Sequence, residues 1–214
     1  MSNQLVGFGA RVVSMAWDTA RTKQLLLDAA VEEFAEHGPD GARIARVATR
    51  AGVNKERIYQ YFGNKDRLFA AVLASELAKL AAAVPLSAEL AKDLGDYAGR
   101  VYDYHRANPH FTRLLAWEGL QHGVAPALEA LVARAERQAH YTEKVQAVAD
   151  AQAMGALTDD VDAAHLTWAV ISLTAAWFTL PQIARLLLAT TPQPRPADDR
   201  DALVLLARRL TGPA

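Results

Sequence analysis

The sequence predicts an all-α chain, with a small N-terminal three-helix unit carrying a helix-turn-helix followed by a larger helical domain. Three observations lead there. Alanine and leucine dominate, apolar residues recur with a 3.6-residue period, and no alternating run of useful length is present to form a strand. At 214 residues, 51% apolar and 22% charged, the chain can bury a substantial core and reads as globular. It has no cysteine, which excludes a disulfide framework, a thiolate metal site and a cysteine nucleophile. A reducing, cytoplasmic setting fits that composition.

Residues 1–18 lack the basic start, clean apolar stretch and small-residue cleavage site of a secretion signal, and are expected to form a flexible N-terminal arm. Met15, just ahead of the helical pattern, is an alternative start, and Arg11 and Arg21 could give the arm a phosphate or minor-groove contact. The first helix is expected over Thr19–Glu36, with Leu27, Ala30, Val31 and Phe34 on its inner stripe and His37-Gly38-Pro39 ending it. A short second helix follows over Arg43–Ala51, with Ile44, Val47, Ala48 and Ala51 inward, closed by a left-handed Gly52. Asn54 caps a third helix to about Phe62, because its side-chain oxygen can accept the free N–H groups of the first turn. Two short helices around a glycine turn make a helix-turn-helix. A fourth helix runs from Lys65 to Val84, where Pro85 stops it.

Beyond Pro85, helices are expected over 87–107, 109–121, 126–154, 161–189 and 198–210. Asn108-Pro109, Gly123 to Pro126, Gly155 to Asp160 and Thr190 to Pro196 separate them. The stretch from Ala163 to Arg185 is uncharged until the arginine and long enough to test as a membrane span. Its repeated threonines and serine, with Pro181 and Gln182, read instead as a helix buried in a core or subunit interface, and no membrane partner is expected.

The net charge is −1, which argues against indiscriminate nucleic-acid binding. Its distribution points the other way. Arg43, Arg46, Arg50, Lys55, Arg57, Lys65 and Arg67 crowd residues 43–67 against only Glu56 and Asp66. With Val53, Ile58 and Phe62 inward, the third helix turns Lys55, Glu56, Arg57 and Gln60 outward near its N-terminal half, where a recognition helix reads base edges. Arg57 can pair with guanine O6 and N7, and Gln60 with adenine N6 and N7. Tyr59 and Tyr61 can reach phosphate oxygens. Lys65 opens the fourth helix, where the helix dipole disfavours a cation; either a bound phosphate or simple solvation accounts for it.

Residues 34–69 resemble the DNA-binding region of the tetracycline-repressor (TetR) family. The resemblance rests on Phe34 and Gly38, Ile44-x-x-Val47-Ala48, Ala51-Gly52-Val53, Lys55, Ile58-Tyr59-x-Tyr61-Phe62 and Lys65-x-x-Leu68-Phe69. It is strong over residues 19–70 and architectural beyond. It implies a homodimer whose third helices enter successive major grooves of a palindromic double-stranded DNA operator, and a C-terminal domain that binds a small-molecule effector. Family contacts map to Lys55, Arg57, Tyr59, Gln60, Tyr61 and Lys65, with Arg43 and Arg46 at the start of the second helix. The sequence departs at Ala42-Arg43, where a hydroxyl residue is common. It departs again at Glu56, where a carboxylate either accepts from cytosine N4 or repels the backbone. The implied division is an arm over 1–18, a DNA-binding domain over 19–64 and an effector-binding and dimerisation domain over 65–214.

For the effector site, the middle of the chain mixes aromatic and polar groups as a small-molecule pocket does. Tyr102, His105, Phe111, Trp117, Gln121, Tyr141 and Trp168 are the candidate lining. For the dimer contact, which the resemblance assigns to the last two helices, Ala169, Ser172 and Ala176 form a small-residue stripe with Leu173 and Trp177 beside it. Leu203, Leu206 and Leu210 give the final helix its own stripe. Metal ligation by His105 with His110 or Glu118 lacks a compelling spacing, and neither metal nor cofactor is expected. No phosphate-cradling glycine loop, nucleophile elbow or recognisable carboxylate pair is present. The expectation is therefore a ligand-responsive DNA-binding regulator, acting as a repressor; the alternative is a helical small-molecule carrier or enzyme that uses the same fold without DNA binding.

Overall fold

The computed structural model describes residues 5–122, 133–190 and 198–213, with side chains from Thr19 onward. Among them are eleven helices and no strand. These are α1 (Leu5–Gly41), α2 (Ile44–Ala51), α3 (Lys55–Phe62), α4 (Lys65–Ala83), α5 (Ala88–Ala91), α6 (Leu94–Ala107), α7 (Pro109–His122), α8 (Arg134–Ala153), α9 (Ala163–Thr179), α10 (Pro181–Leu188) and α11 (Asp199–Thr211). The chain divides into two compact units, Met1–Ser75 and Glu76–Ala214. The division falls inside α4 rather than at Lys65, because Leu68, Phe69, Val72 and Leu73 are buried in the first unit's apolar interior.

In the first unit, α1 is already helical from Leu5, where an irregular arm was expected up to residue 18. Residues 1–4 and the side chain of Arg11 lie outside the described set. The helical path breaks at Gly38 (φ 68°, ψ 172°), a conformation that suits glycine, with Pro39 behind it. The buried stripe of α1 is Leu26, Ala29, Ala30, Val31, Glu33 and Phe34, with Leu27 only half-buried, so the inner face is rotated by about one residue from the expected one. Phe34 meets Phe69 edge to face at 5.2 Å. Val47 and Ile58, both fully buried, bring α2 and α3 onto this core.

In the second unit, the segment expected as one helix over 87–107 is two helices. Ser87 caps α5 by accepting from Leu90 N–H, and Asp93 caps α6 by accepting from Asp96 N–H at 3.0 Å, so two start signals follow Pro85 in close succession. The core is built from Leu94, Ala98, Val148, Ala151, Leu166, Val170, Leu203 and Ala207. Helices α6 and α11 pack closely at Gly95 and Gly99. A Cβ on Gly95 would stand 2.5 Å from Arg208 Cγ and 2.8 Å from the Val204 carbonyl oxygen, and one on Gly99 3.0 Å from Val204 Cγ2. Arg208–Asp93 at 2.7 Å and Arg200–Asp103 at 2.8 Å flank that contact.

The helix expected over 161–189 is also broken. Pro181 cannot continue the hydrogen-bond ladder and holds Leu180 away from helical geometry (φ −126°, ψ 45°), so α9 and α10 are bent by 83°. No single described helix is long and apolar enough to cross a membrane; α9 and α10 reach that length only as this bent pair. Residues 126–132 of the expected 126–154 helix, the Gly123 to Pro126 loop and residues 191–196 lie outside the described set.

Candidate nucleic-acid interface

Local chemistry fixes the turn that presents α3. Gly52 adopts the left-handed conformation (φ 64°, ψ 29°) and donates its N–H to the Ala48 and Thr49 carbonyls, and Val53 N–H returns to Ala48 O at 3.0 Å. Asn54 then caps α3 by accepting from Glu56 N–H at 3.3 Å. Ile58 and Phe62 are buried, and Val53 is half-buried. The opposite face of α3 is therefore outward: Lys55, Glu56, Arg57, Tyr59 and Gln60 are exposed and Tyr61 is partly so. Arg57 reaches back to the Tyr61 hydroxyl at a long 3.5 Å, which leaves its guanidinium largely available.

The expected basic cluster is not uniformly available. Arg46 is committed to Glu33, a carboxylate 1% exposed inside α1, donating from Nε at 2.8 and 3.0 Å and from Nη2 as well; the backbone N–H of Arg43 donates to the same carboxylate at 2.8 Å. Burial pushes the Glu33 carboxyl up, but the hydrogen bonds from Arg46 and the Arg43 N–H, with the Arg46 charge, more than offset it and hold it below its usual value. Arg46 thus clamps α1 to α2. Arg50 pairs with Glu32 at 3.0 Å. Lys65 donates to the Asp40 carbonyl at 3.1 Å, which ties the start of α4 to the end of α1. Asn64 supplies the cap of α4 by accepting from Arg67 N–H at 2.8 Å. Arg43 stands at the N-cap of α2, where no side chain caps the helix.

Of the residues expected to line an effector site, three come together. His105 lies 5.7 Å from Phe111, ring centroid to ring centroid, and 5.4 Å from Phe178, whose ring is 5.1 Å from Tyr102. Tyr104 packs on Phe111 at 6.0 Å. Trp117 is half-buried, while Gln121 and Tyr141 are exposed. Trp168, 69% exposed, lies beside a surface hollow with Ala164 and His165 and is not part of the aromatic cluster. Burial drives His105 down to about 4, so its ring is neutral at physiological pH.

His110 turns instead to α4, its Nε2 2.8 Å from the buried Glu76, which also accepts from Lys79 at 2.6 Å. Glu118 is buried and paired with Arg137 at 2.8 Å. No group of three His, Cys, Asp or Glu side chains is placed to hold a metal among the described residues. Lys144 is a buried cation that sequence reading missed. It donates to the Val84 carbonyl at the end of α4, lies 4.8 Å from the Tyr97 ring centroid, and burial with the nearby Arg100 lowers it to about 8.

Residues 26–72 match the profile of bacterial regulatory proteins of the tetR family, and residues 93–209 that of the tetracyclin repressor-like C-terminal domain. The chain belongs to the TetR family. It is 42% identical over 173 residues to the HTH-type transcriptional repressor SCO4008 of Streptomyces coelicolor, covering 81% of this chain and 86% of that protein. It is 36% identical over 111 residues to the transcriptional repressor NicS of Pseudomonas putida, covering 49% and 51%. Among solved structures, SCO4942 of Streptomyces coelicolor, described as a transcriptional regulator, superimposes with a TM-score of 0.75 at 32% identity over 90% of this chain and 99% of that one. A TetR regulator of Marinobacter aquaeolei, at 16% identity and a TM-score of 0.70, shares the fold. The TetR members it resembles are transcriptional regulators, so DNA binding and not catalysis is the shared activity.

On this TetR fold, the residues expected at a dimer contact separate into two sets. Ala169, Ser172, Leu173, Ala176 and Trp177 are half-buried, and Leu173 and Trp177 pack on the unit's own core. Leu203 is fully buried against that core with Ala207, so it belongs to the inner stripe of α11 and not to an outer face. Leu206 and Leu210, 50% and 49% exposed, form the outer stripe. Helix α10 has no buried residue, and leaves Ile183, Leu186 and Leu187 uncovered.

Proposed function

We propose that the chain is a ligand-released repressor that binds a palindromic operator as a homodimer, in the cytoplasm. Lys55, Arg57 and Gln60 read base edges, Glu56 sets a preference or exclusion at one position, and Arg43, Tyr59 and Tyr61 hold phosphates. The observation that carries this is the outward row of α3, exposed and without a recorded ion pair among the described residues, on a helix whose start and inner face are fully specified. Lys65 and Arg46 keep the helices in register behind that row. The repressor names of the relatives support the sign of regulation. The uncovered apolar side chains on α10 and on α11 support a twofold contact, since exposed large apolar side chains suit an interface.

The test is fluorescence anisotropy with the duplex upstream of the chain's own gene, against a scrambled duplex, at two salt concentrations, with sedimentation of the free protein. Tight, salt-sensitive and selective binding by a dimer supports the reading. Equal binding to both duplexes would remove the operator, and a monomer at every concentration would remove the twofold arrangement.

A further inference from the structure

Helix α6 ends with two polar aromatic side chains whose hydrogen bonds are missing. His105 is 4% exposed, and its Nδ1 has no hydrogen-bond partner among the described residues; the buried hydroxyl of Tyr104 has none either. Each such group is costly while unmatched, and buried polar groups in native proteins are nearly always paired. The rings around them, Phe111 and Phe178 with Tyr102, offer flat apolar faces. Glu76, near Tyr104, accepts from His110 and Lys79; Asp103, Asp198, Asp199 and Arg106 lie on the Tyr102 side, and burial alone, with no neighbouring charge, acts on His105.

We propose that the α6–α7 corner receives an uncharged aromatic compound bearing a hydroxyl or amide group, its ring against Phe111 and Phe178 and its polar group hydrogen-bonded to His105 and Tyr104. This rests on the effector-responsive reading above and names the chemistry of its effector. A ring is required because the shell is aromatic. A polar group is required because two buried atoms lack partners. Charge is excluded because taking an ion from water costs several kcal/mol when no counter-charge meets it, and the imidazole, driven neutral by burial, supplies none. Either ring nitrogen of a neutral imidazole can be the donor, so the site accepts a ligand hydroxyl or a ligand carbonyl.

The experiment titrates the full chain by calorimetry with three probes of one ring size: 2-naphthol, naphthalene and 2-naphthoate. The site binds 2-naphthol about tenfold or more tighter than either of the others, since one buried hydrogen bond is worth about that factor. His105→Phe keeps the ring and loses about tenfold for 2-naphthol alone. Tyr104→Phe, which removes one oxygen, loses a few-fold, and decides the matter where His105→Phe does not fold. Equal or tighter binding of 2-naphthoate, no binding of any probe, or wild-type affinity in the folded variants overturns the proposal. The same samples are assayed on the selective duplex. Protein that binds 2-naphthol but no DNA keeps this inference and removes the repressor reading; protein that binds the duplex and none of the probes does the reverse.

Discussion

The polar side chains of α3 and those at the end of α6 are treated in opposite ways. On α3, Lys55, Arg57 and Gln60 stand in solvent, where water satisfies them. On α6, Tyr104 and His105 are withdrawn from water and left without partners among the described residues. The first region is finished before it binds anything, and its polar groups contribute little to stability. The second holds an unfavourable term, which the bound compound proposed above would remove. A change on α3 should therefore alter recognition and leave folding untouched, whereas a change at the end of α6 should alter folding even without a ligand.

The largest effect expected from that contrast is in acid. The unfolded chain protonates His105 at about 6.5 and the folded chain only at about 4, so its contribution to stability is complete above pH 6.5 and is lost as pH falls to about 4. The difference amounts to roughly 3 kcal/mol. Urea unfolding followed by tryptophan fluorescence reports mainly the second unit, which holds Trp117, Trp168 and Trp177. His105→Phe should flatten this dependence between pH 4 and 6.5; parallel curves for the two proteins would mean that His105 is not buried as a neutral ring.

Next in size, Arg57→Ala should cost about 1–3 kcal/mol of discrimination at one base pair, read by anisotropy on single-substituted operators, with no change in unfolding midpoint. A matching loss of stability would break the contrast. Smaller again is Glu33→Gln. The Glu33 carboxyl is held below its ordinary value of 4.5 when folded, so its contribution is present above that value and disappears as pH falls below it. The first unit should lose this acid response in the variant, measured by amide exchange of α1 and α2 between pH 3 and 6. Smallest is Lys65→Ala. A phosphate ligand would lower the salt slope by about 0.9, but a lysine held by the Asp40 carbonyl should change it by much less. A full unit of slope would return Lys65 to the DNA.

What was legible in the sequence divides along the same line. Gly52, Asn54, Ile58 and Phe62 act within a few residues of themselves, so turn, cap and inward face of α3 follow from spacing alone. The Glu33 clamp was missed, although a carboxylate seven residues after the buried Leu26 and adjacent to Phe34 sits on the inner stripe and was a readable signal. The Glu76–His110 contact spans 34 residues, and no local pattern announces it. Leu203 and Leu206 are both leucines of an amphipathic helix; which of them is inward depends on where α6 lies, and so their separation into core and outer stripe required the fold. Pro181 was recognised as a break within an apolar run, but the 83° bend that follows from it was not drawn from the sequence.

The closure of α11 over Gly95 and Gly99 also sets an order of events at the ribosome. Asp93 and Arg208 are separated by 115 residues, so α6 leaves the exit tunnel long before the helix that completes its core has been made. The residues up to Ser75 need nothing from this last helix for their own apolar interior and can fold while translation continues. The other unit must wait, with Leu94 and Ala98 lacking their cover, until Leu203 and Ala207 emerge. The unit that carries α3 is thus ready first, and the unit that α11 closes is completed last.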